Sequence, residues 1–429
     1  MNTIDFFKFI EKGTSPYHVV KISEELLNKN NFKKLDFKEH WTLSPGKKYY
    51  TTPYGTCCFA FSIGNDLNDT SIFRITSSHI DQPGFRIKPN PELFEKDYLK
   101  LNTETYGGAI LNTWMDRPLS VSGKVTLKSE NPFLPNTCLI DFERELLTIP
   151  NLAIHMNKKV NSGYELNKQI DLLPLFGMKE TENENDFFLK FLAKELDVKK
   201  DSILDFDLYV YNKENACTFG RNQEFISSPR LDNLTSAYAS LQAIMSTEIS
   251  SQDILIAAFY DNEEIGSKTK QGADSQLTTI LLEKIFEGLN KTKNDLNHCI
   301  MNSIMVSSDV AHGFHPNHGE KNDPTNITQL NKGVVIKLNS NQRYATDTEA
   351  VGIIQQLCEY GNIPYQKFVN RSDMIGGGTL GSISSSWLPM KTIDLGIPLL
   401  AMHSARETCS VADEDALIQL LTYFYTCSR

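Results

Sequence analysis

The chain has no CxxC pair, no long apolar run and no basic stripe, and each absence removes a class of function. Its eight cysteines are scattered singly, apart from the adjacent Cys57-Cys58. That pattern supports neither a zinc finger nor a thioredoxin-type site and fits free thiols in a cytosolic protein. No stretch of about 18 apolar residues occurs, so no membrane-spanning helix is expected. The opening segment MNTIDFFKFIEKG carries Asp5 and Lys8 inside its only apolar stretch. Without a basic leader or a long apolar centre it does not read as a secretory signal. The expectation is a cytoplasmic protein with no membrane partner. Lys and Arg number 43 against 53 Asp and Glu, a formal charge of −10. The two signs interleave, so nucleic acid is not an expected partner and the acidic surface reads as a solubility feature.

What is present fits a globular enzyme. The 429 residues, 40% hydrophobic and 22% charged, suffice for two or three domains with large cores. Near the start, Tyr17–Asn28 predicts a helix and Ser71–Thr76 a strand running into SSHID. Beyond residue 225 the α/β alternation is dense. Leu234, Ala237, Leu241, Ile244 and Met245 share a face at helical spacing, and DILIAAFY (253–260) is a buried-strand run. Leu277–Leu289 predicts a helix, Ile304–Ser307 a strand and Asp413–Tyr425 a closing helix. The middle differs: Ser120–Leu127 and Leu208–Tyr211 alternate as half-buried strands around one amphipathic helix at Asp186–Leu196. An α/β catalytic domain (1–90 and 226–429) interrupted by a β-rich insert (91–225) is therefore expected.

Several segments share one pattern, an apolar strand followed at once by a metal-ligand side chain. Sites in open α/β sheets form at such carboxyl ends. SSHID offers His79, with Asp81 two residues on to orient the imidazole. PRLDN places Asp232 at a helix start, where it is either a helix cap or a carboxylate able to bridge two cations. YDNEEIG delivers Glu263 and Glu264 after the buried strand, with Gly266 for a tight exit; one can bind metal while its neighbour stays free as a base. Asp309 follows MVSS and His403 follows LLAM. Two His, two Asp and one Glu, with Glu263 left over, form a hard N/O set suited to Zn²⁺, Mn²⁺ or Co²⁺. It is also the inventory of a dinuclear hydrolase.

Two other patterns compete. Gly376-Gly377-Gly378-Thr379-Leu380-Gly381 satisfies the nucleotide fingerprint, but Asp394 lies only 13 residues past Gly381 and no clean strand precedes it. It reads as a backbone loop lining a substrate pocket. His312, His315 and His318 surround the turn residues Pro316 and Asn317 and read as a surface or supporting segment.

SSHIDQPGFRIKPNP, SPRLDNLTSAYASLQA, YDNEEIGS, SSDVAHGFHPN, KLNSNQRYA and LAMHSARE together resemble the motifs of the aspartyl aminopeptidase family, in order, from about residue 15 to the C-terminus. The resemblance implies a co-catalytic zinc-peptidase fold, a mixed sheet between helices interrupted by a β-rich oligomerisation domain. It also implies a tetrahedral dodecamer acting on peptides. By motif, His79, Asp232 and Asp309 resemble the ligands of one metal, and Asp232, Glu264 and His403 those of the other. Glu263 matches the general base and Asp81 the orienting carboxylate. Lys337 and Tyr344 match substrate-pocket residues, Tyr344 as a partner of the tetrahedral intermediate. His155, in the insert, matches a substrate contact reaching a neighbouring subunit's site, with a metal-ligand role as the alternative. Related dinuclear peptidases carry a cis peptide after the bridging aspartate, so Asp232-Asn233 is expected to be cis. The segment 371–381 is more glycine-rich than in the animal enzymes, and a preference for acidic N-terminal residues does not transfer. Residue chemistry alone reaches a metallohydrolase; the aminopeptidase activity comes from the resemblance. A deacetylase or carboxypeptidase, a dinucleotide-dependent oxidoreductase and a non-enzymatic assembly protein are the rival readings.

Overall fold

The apolar run ending in Tyr260 forms a fully buried strand, Ile254–Tyr260, at the heart of a nine-stranded mixed sheet. The computed structural model describes residues 1–181, 185–249 and 252–428. Across the sheet the strands run Lys33–Lys34, Lys48–Thr51, Cys58–Ile63, Ile254–Tyr260, Phe73–His79, Ile304–Ser308, Lys391–Gly396, Val334–Lys337, Tyr365–Phe368. The four strands Ile254–Tyr260, Phe73–His79, Ile304–Ser308 and Lys391–Gly396 are mutually parallel. Their carboxyl ends therefore share one edge, the place where such sheets build sites.

Both faces of this sheet are covered, as parallel strands require. Leu255, Ala257 and Phe259 point to one side, where they pack with Leu234 and Leu241 of helix Leu231–Ser246 and Leu417 and Leu421 of helix Val411–Thr426. Ile254, Ile256, Ala258 and Tyr260 point to the other, against Leu281 and Ile285 of helix Leu277–Gly288. The period-two alternation of a strand thus feeds two separate cores.

Internal contacts divide the chain into two units: Met1–Asp81 with Ala216–Met402 and Glu407–Arg429, and Gln82–Asn215 with His403–Arg406. The second unit is a six-stranded antiparallel sheet in the order Asn136–Asp141, Leu119–Leu127, Ile203–Asn212, Gly84–Glu95, Tyr98–Tyr106, Leu175–Met178. Its amphipathic helix, Phe187–Glu195, buries Phe187, Phe188 and Leu192 in one cluster with Val121 and Leu208. The interval 91–225 expected for the insert shares residues 91–215 with this unit. Cys217–Phe219 and Phe225–Ser228 join Glu407–Ser410 in a small sheet of the first unit.

At the amino end of the parallel strands lies a buried ion pair that no local pattern announces. Arg74 Nε donates to Asp253 Oδ2 at 2.9 Å, and one terminal nitrogen donates to the carbonyls of Phe424 (2.9 Å) and Cys427 (2.7 Å). The guanidinium fork thus ties the sheet to the end of the last helix. Replacing one member of such a pair leaves its partner charged and buried, which costs about 3–5 kcal/mol. Arg74→Met is expected to lower the unfolding free energy by that order in urea titration. Arg74→Lys, a point charge without the fork, should recover only part of it. An unchanged unfolding midpoint in Arg74→Met would show that the pair contributes nothing.

Candidate metal centre

His79 ends its strand with a buried side chain. Its Nδ1 lies 3.0 Å from the backbone carbonyl of Asp81 and 3.5 Å from Asp81 Oδ1. A carbonyl only accepts, so Nδ1 carries the proton and donates. This presents Nε2 to Asp232 Oδ1 at 3.3 Å and Asp309 Oδ1 at 3.5 Å. The tautomer is set by the second nitrogen's partner, the arrangement expected of an imidazole that binds metal.

Asp81 has a further task that its spacing from His79 does not reveal. Its Oδ1 accepts from the Glu263 N–H at 3.0 Å and its Oδ2 from the Glu264 N–H at 3.1 Å. One carboxylate therefore orients the imidazole's neighbourhood and caps the short 3-10 turn Glu263–Ile265. Asn262, just before that turn, sits at φ 64°, a left-handed conformation that Asn tolerates better than most residues. Its side-chain carbonyl accepts from Thr269 Oγ1 at 2.9 Å.

Asp232 opens the helix Leu231–Ser246 with non-helical backbone angles, and its peptide to Asn233 is cis, as expected. Its N–H donates to Glu407 Oε2 at 3.0 Å, and Asn233 Nδ2 donates to the Ser308 carbonyl at 2.9 Å. Glu407 was not singled out from the sequence; the only hint is that it closes LAMHSARE. Asp309 is gripped from the other side by the buried Lys337, whose Nζ donates to Asp309 Oδ2 at 3.2 Å and to the Val310 carbonyl at 3.1 Å. Lys337 Nζ lies 5.2 Å from the centre of the buried Tyr344 ring.

The electrostatics say what this donor set lacks. Asp81, Asp232, Glu263, Glu264 and Asp309 crowd around one imidazole and one ammonium. Burial pushes the Glu263 carboxyl up to about 7, with Asp309, Asp81 and Asp232 adding to the rise and His79 opposing it. Burial likewise drives Glu264 well above the carboxylate range. Burial opposes a charge on His79, but the three aspartates outweigh it and raise its pKa well above the ordinary value. Asp309 is the exception: burial raises it, yet the Lys337 ammonium and His79 bring it below normal. Ligand atoms of His79, Asp232 and Asp309 lie within 4.8 Å of one another, as do those of His79, Glu263 and Glu264. Convergent O and N donors with surplus negative charge fit divalent cations.

Two expected residues belong to the second unit. His403 has its Nδ1 3.1 Å from the Gly108 carbonyl, which again assigns the proton to Nδ1 and the lone pair to Nε2. His155 is exposed on an irregular segment, between Ile154 and Met156, which are themselves 53% and 70% exposed. The histidine-rich and glycine-rich segments have a common place. His312, His315, Gly376 and Gly377 border one cavity of about 290 Å³, and Phe368 forms part of its wall. His318 stands outside that lining, its ring tilted against that of His315 and its Nδ1 3.4 Å from Glu320.

Comparison with known proteins gives this geometry a family. A "Probable M18 family aminopeptidase 2" from Clostridium novyi (strain NT) is 46% identical over 423 residues, covering 98% of each chain. Among solved structures, the chain resembles one from the "Cryo-EM structure of the Ape4 and Nbr1 complex", with TM-score 0.94 and 33% identity over 98% of this chain and 85% of that one. It also resembles the S. cerevisiae mApe1 dodecamer structure, with TM-score 0.85 and 27% identity over 98% of this chain and 95% of that one. The family described as aminopeptidase I zinc metalloprotease (M18) matches residues 9–425. With nearly its whole length accounted for and its buried donors at the carboxyl ends of parallel strands, the chain belongs to the M18 family of zinc aminopeptidases.

Proposed function

We propose that two divalent cations share this donor set, zinc first, with cobalt and manganese chemically admissible. His79, Asp232 and Asp309 would hold one, and Asp232, Glu264 and His403 the other, with Asp232 bridging. The observation that carries the reading is the His79 imidazole, held at Nδ1 beside Asp81 and facing two carboxylates with Nε2. Bound there, the cations supply Lewis acidity and lower the pKa of water toward neutrality.

The chain's own groups do the rest. Glu263 takes the proton from the water that attacks the scissile carbonyl and passes it to the leaving amine. Asp81 keeps Glu263 in place through its backbone N–H. The Tyr344 hydroxyl donates to the developing oxyanion, and Lys337 holds Asp309 while lining the pocket. The free α-amine of the peptide would be held by one of the cations or by a nearby carboxylate, which confines cleavage to the N-terminal bond. The protein acts in the cytoplasm as a tetrahedral dodecamer assembled through the inserted domain, 91–225. His155 serves as a substrate contact for a neighbouring protomer; direct metal ligation is its alternative role. Support for the assembly is the dodecameric state named for S. cerevisiae mApe1 and the exposed apolar residues that flank His155.

Three outcomes test this reading. Glu263→Gln is expected to reduce turnover by ~10²–10⁴-fold with two metals retained, because the amide cannot accept the proton; Glu264→Gln should instead weaken one metal. Metal analysis showing loss in the Glu263 variant and not in the other would reverse the two roles. Chelation should make stability pH-sensitive. In the metal-free protein Glu263 titrates near 7 rather than 4.5 and Glu264 and His79 are also raised. The folded state then holds more protons than the unfolded one, so stability falls as pH rises through about 4.5–7. The melting temperature of chelated protein should drop across that window more than that of metal-loaded protein; parallel curves would refute the charge argument. Finally, co-expressed His155→Ala and Glu263→Gln protomers, each inactive alone, should regain some turnover in mixed assemblies. Mixed assemblies without activity would exclude action in trans, and metal loss in His155→Ala alone would favour the ligand role.

A further inference from the structure

The glycine-rich segment and Asp394, 13 residues past Gly381, have no part in the chemistry above. In the fold they meet. Asp394 sits fully buried on the strand Lys391–Gly396. Its Oδ2 accepts from the Ala345 N–H at 2.6 Å and its Oδ1 from the Thr379 hydroxyl at 2.7 Å. Its own N–H donates to Thr346 Oγ1 at 3.0 Å, and that hydroxyl donates to the Lys337 carbonyl at 2.6 Å. The third glycine of the fingerprint is packed against the same carboxylate: a Cβ on Gly381 would lie 2.7 Å from both Asp394 oxygens and from the Cβ of Ser307. What comes close to this backbone is an aspartate and a serine of the chain itself.

We propose that Asp394 is a positioning residue for the peptidase reaction, tying the segment that carries Tyr344 to the glycine-rich segment. The two segments touch elsewhere only through Arg343 among the bonds described: its guanidinium donates to the Gly376 carbonyl at 2.9 Å, and its own carbonyl accepts from the Thr379 N–H at 3.3 Å. Asp394 thus grips the residue after Tyr344 and the residue after the glycines with its two oxygens. That grip fixes the Tyr344 ring between Lys337 and Phe368, whose ring centre is 6.4 Å away. A small displacement of a group that stabilises a transition state is costly, so the effect should appear in kcat and not in KM.

The inference rests on the reading of Tyr344 as an oxyanion partner, and a double-mutant cycle on metal-loaded protein separates the two. Tyr344→Phe should lower kcat. Asp394→Ala should lower kcat by no more than Tyr344→Phe does, with KM and metal content held. In the Tyr344→Phe background it should cost nothing further, because residues acting through one another are not additive. Asp394→Asn should recover most of the loss, since its oxygen can accept from Ala345 and its amide can donate to the Thr379 hydroxyl. If Asp394→Ala does not fold, Thr379→Val, with Thr379→Ser as the restoring change, runs the same cycle through the other arm. Full additivity with Tyr344→Phe would overturn the positioning role and leave the Tyr344 reading intact. A Tyr344→Phe enzyme with undiminished kcat would remove that reading, and the inference with it.

Discussion

The carboxylate of Asp81 is the constraint on which the centre depends. It lies between the end of one parallel strand and the turn that follows another, and both oxygens accept backbone N–H groups from that turn. Hydrogen bonds to a charged acceptor are stronger than neutral ones, and here two of them fix consecutive residues. Adjacent side chains on a fixed turn must point apart. The Glu263 and Glu264 side chains are therefore set apart by backbone geometry alone, before any cation is considered.

The surplus of buried acid is the second constraint. Asp309 has a permanent positive neighbour, Lys337, and is brought below the normal carboxylate range. Glu263 and Glu264 are pushed toward protonation. A fold that gathers such groups at the edge of its sheet stores a demand for positive charge, and the family to which the chain belongs meets it with zinc. The acidic surface and the acidic centre are thus unrelated: one keeps the protein dispersed, the other selects a cation.

Legibility followed sequence distance. The strands Ile254–Tyr260 and Ile304–Ser308 and the helices over 231–246 and 411–426 were readable because their apolar periodicity is local and unbroken. His79, Asp232, Glu264 and Asp309 could be suspected because each follows or opens such an element. What could not be read were partnerships between distant single residues. Arg74 with Asp253, Asp232 with Glu407, and Asp394 with Ala345 and Thr379 are each one charged side chain whose meaning appears only when a remote segment arrives. The nucleotide-like fingerprint illustrates the converse: Gly381 satisfies a local rule for a reason supplied by Asp394 and Ser307. The edges of the insert were hard to place because the chain passes from SSHID into the antiparallel sheet at Gly84 with no linker in composition to mark the change.

The order of strands has a consequence for how the molecule comes into being. Phe73–His79 is synthesised early, yet its two neighbours in the sheet are Ile254–Tyr260 and Ile304–Ser308. Between them the ribosome must deliver Gln82–Asn215, nearly the whole of the second unit. That stretch holds all six strands of its own sheet, so it can fold while the earlier strand still waits for partners. Domains do fold as units during synthesis, and unpaired strand edges invite aggregation. The nascent chain therefore carries an unpaired strand until Ile254–Tyr260 has been made, and although Asp81 stands beside His79 from the start, Asp232 and Asp309 reach its Nε2 only much later in synthesis. The centre is among the last parts of the protein to exist.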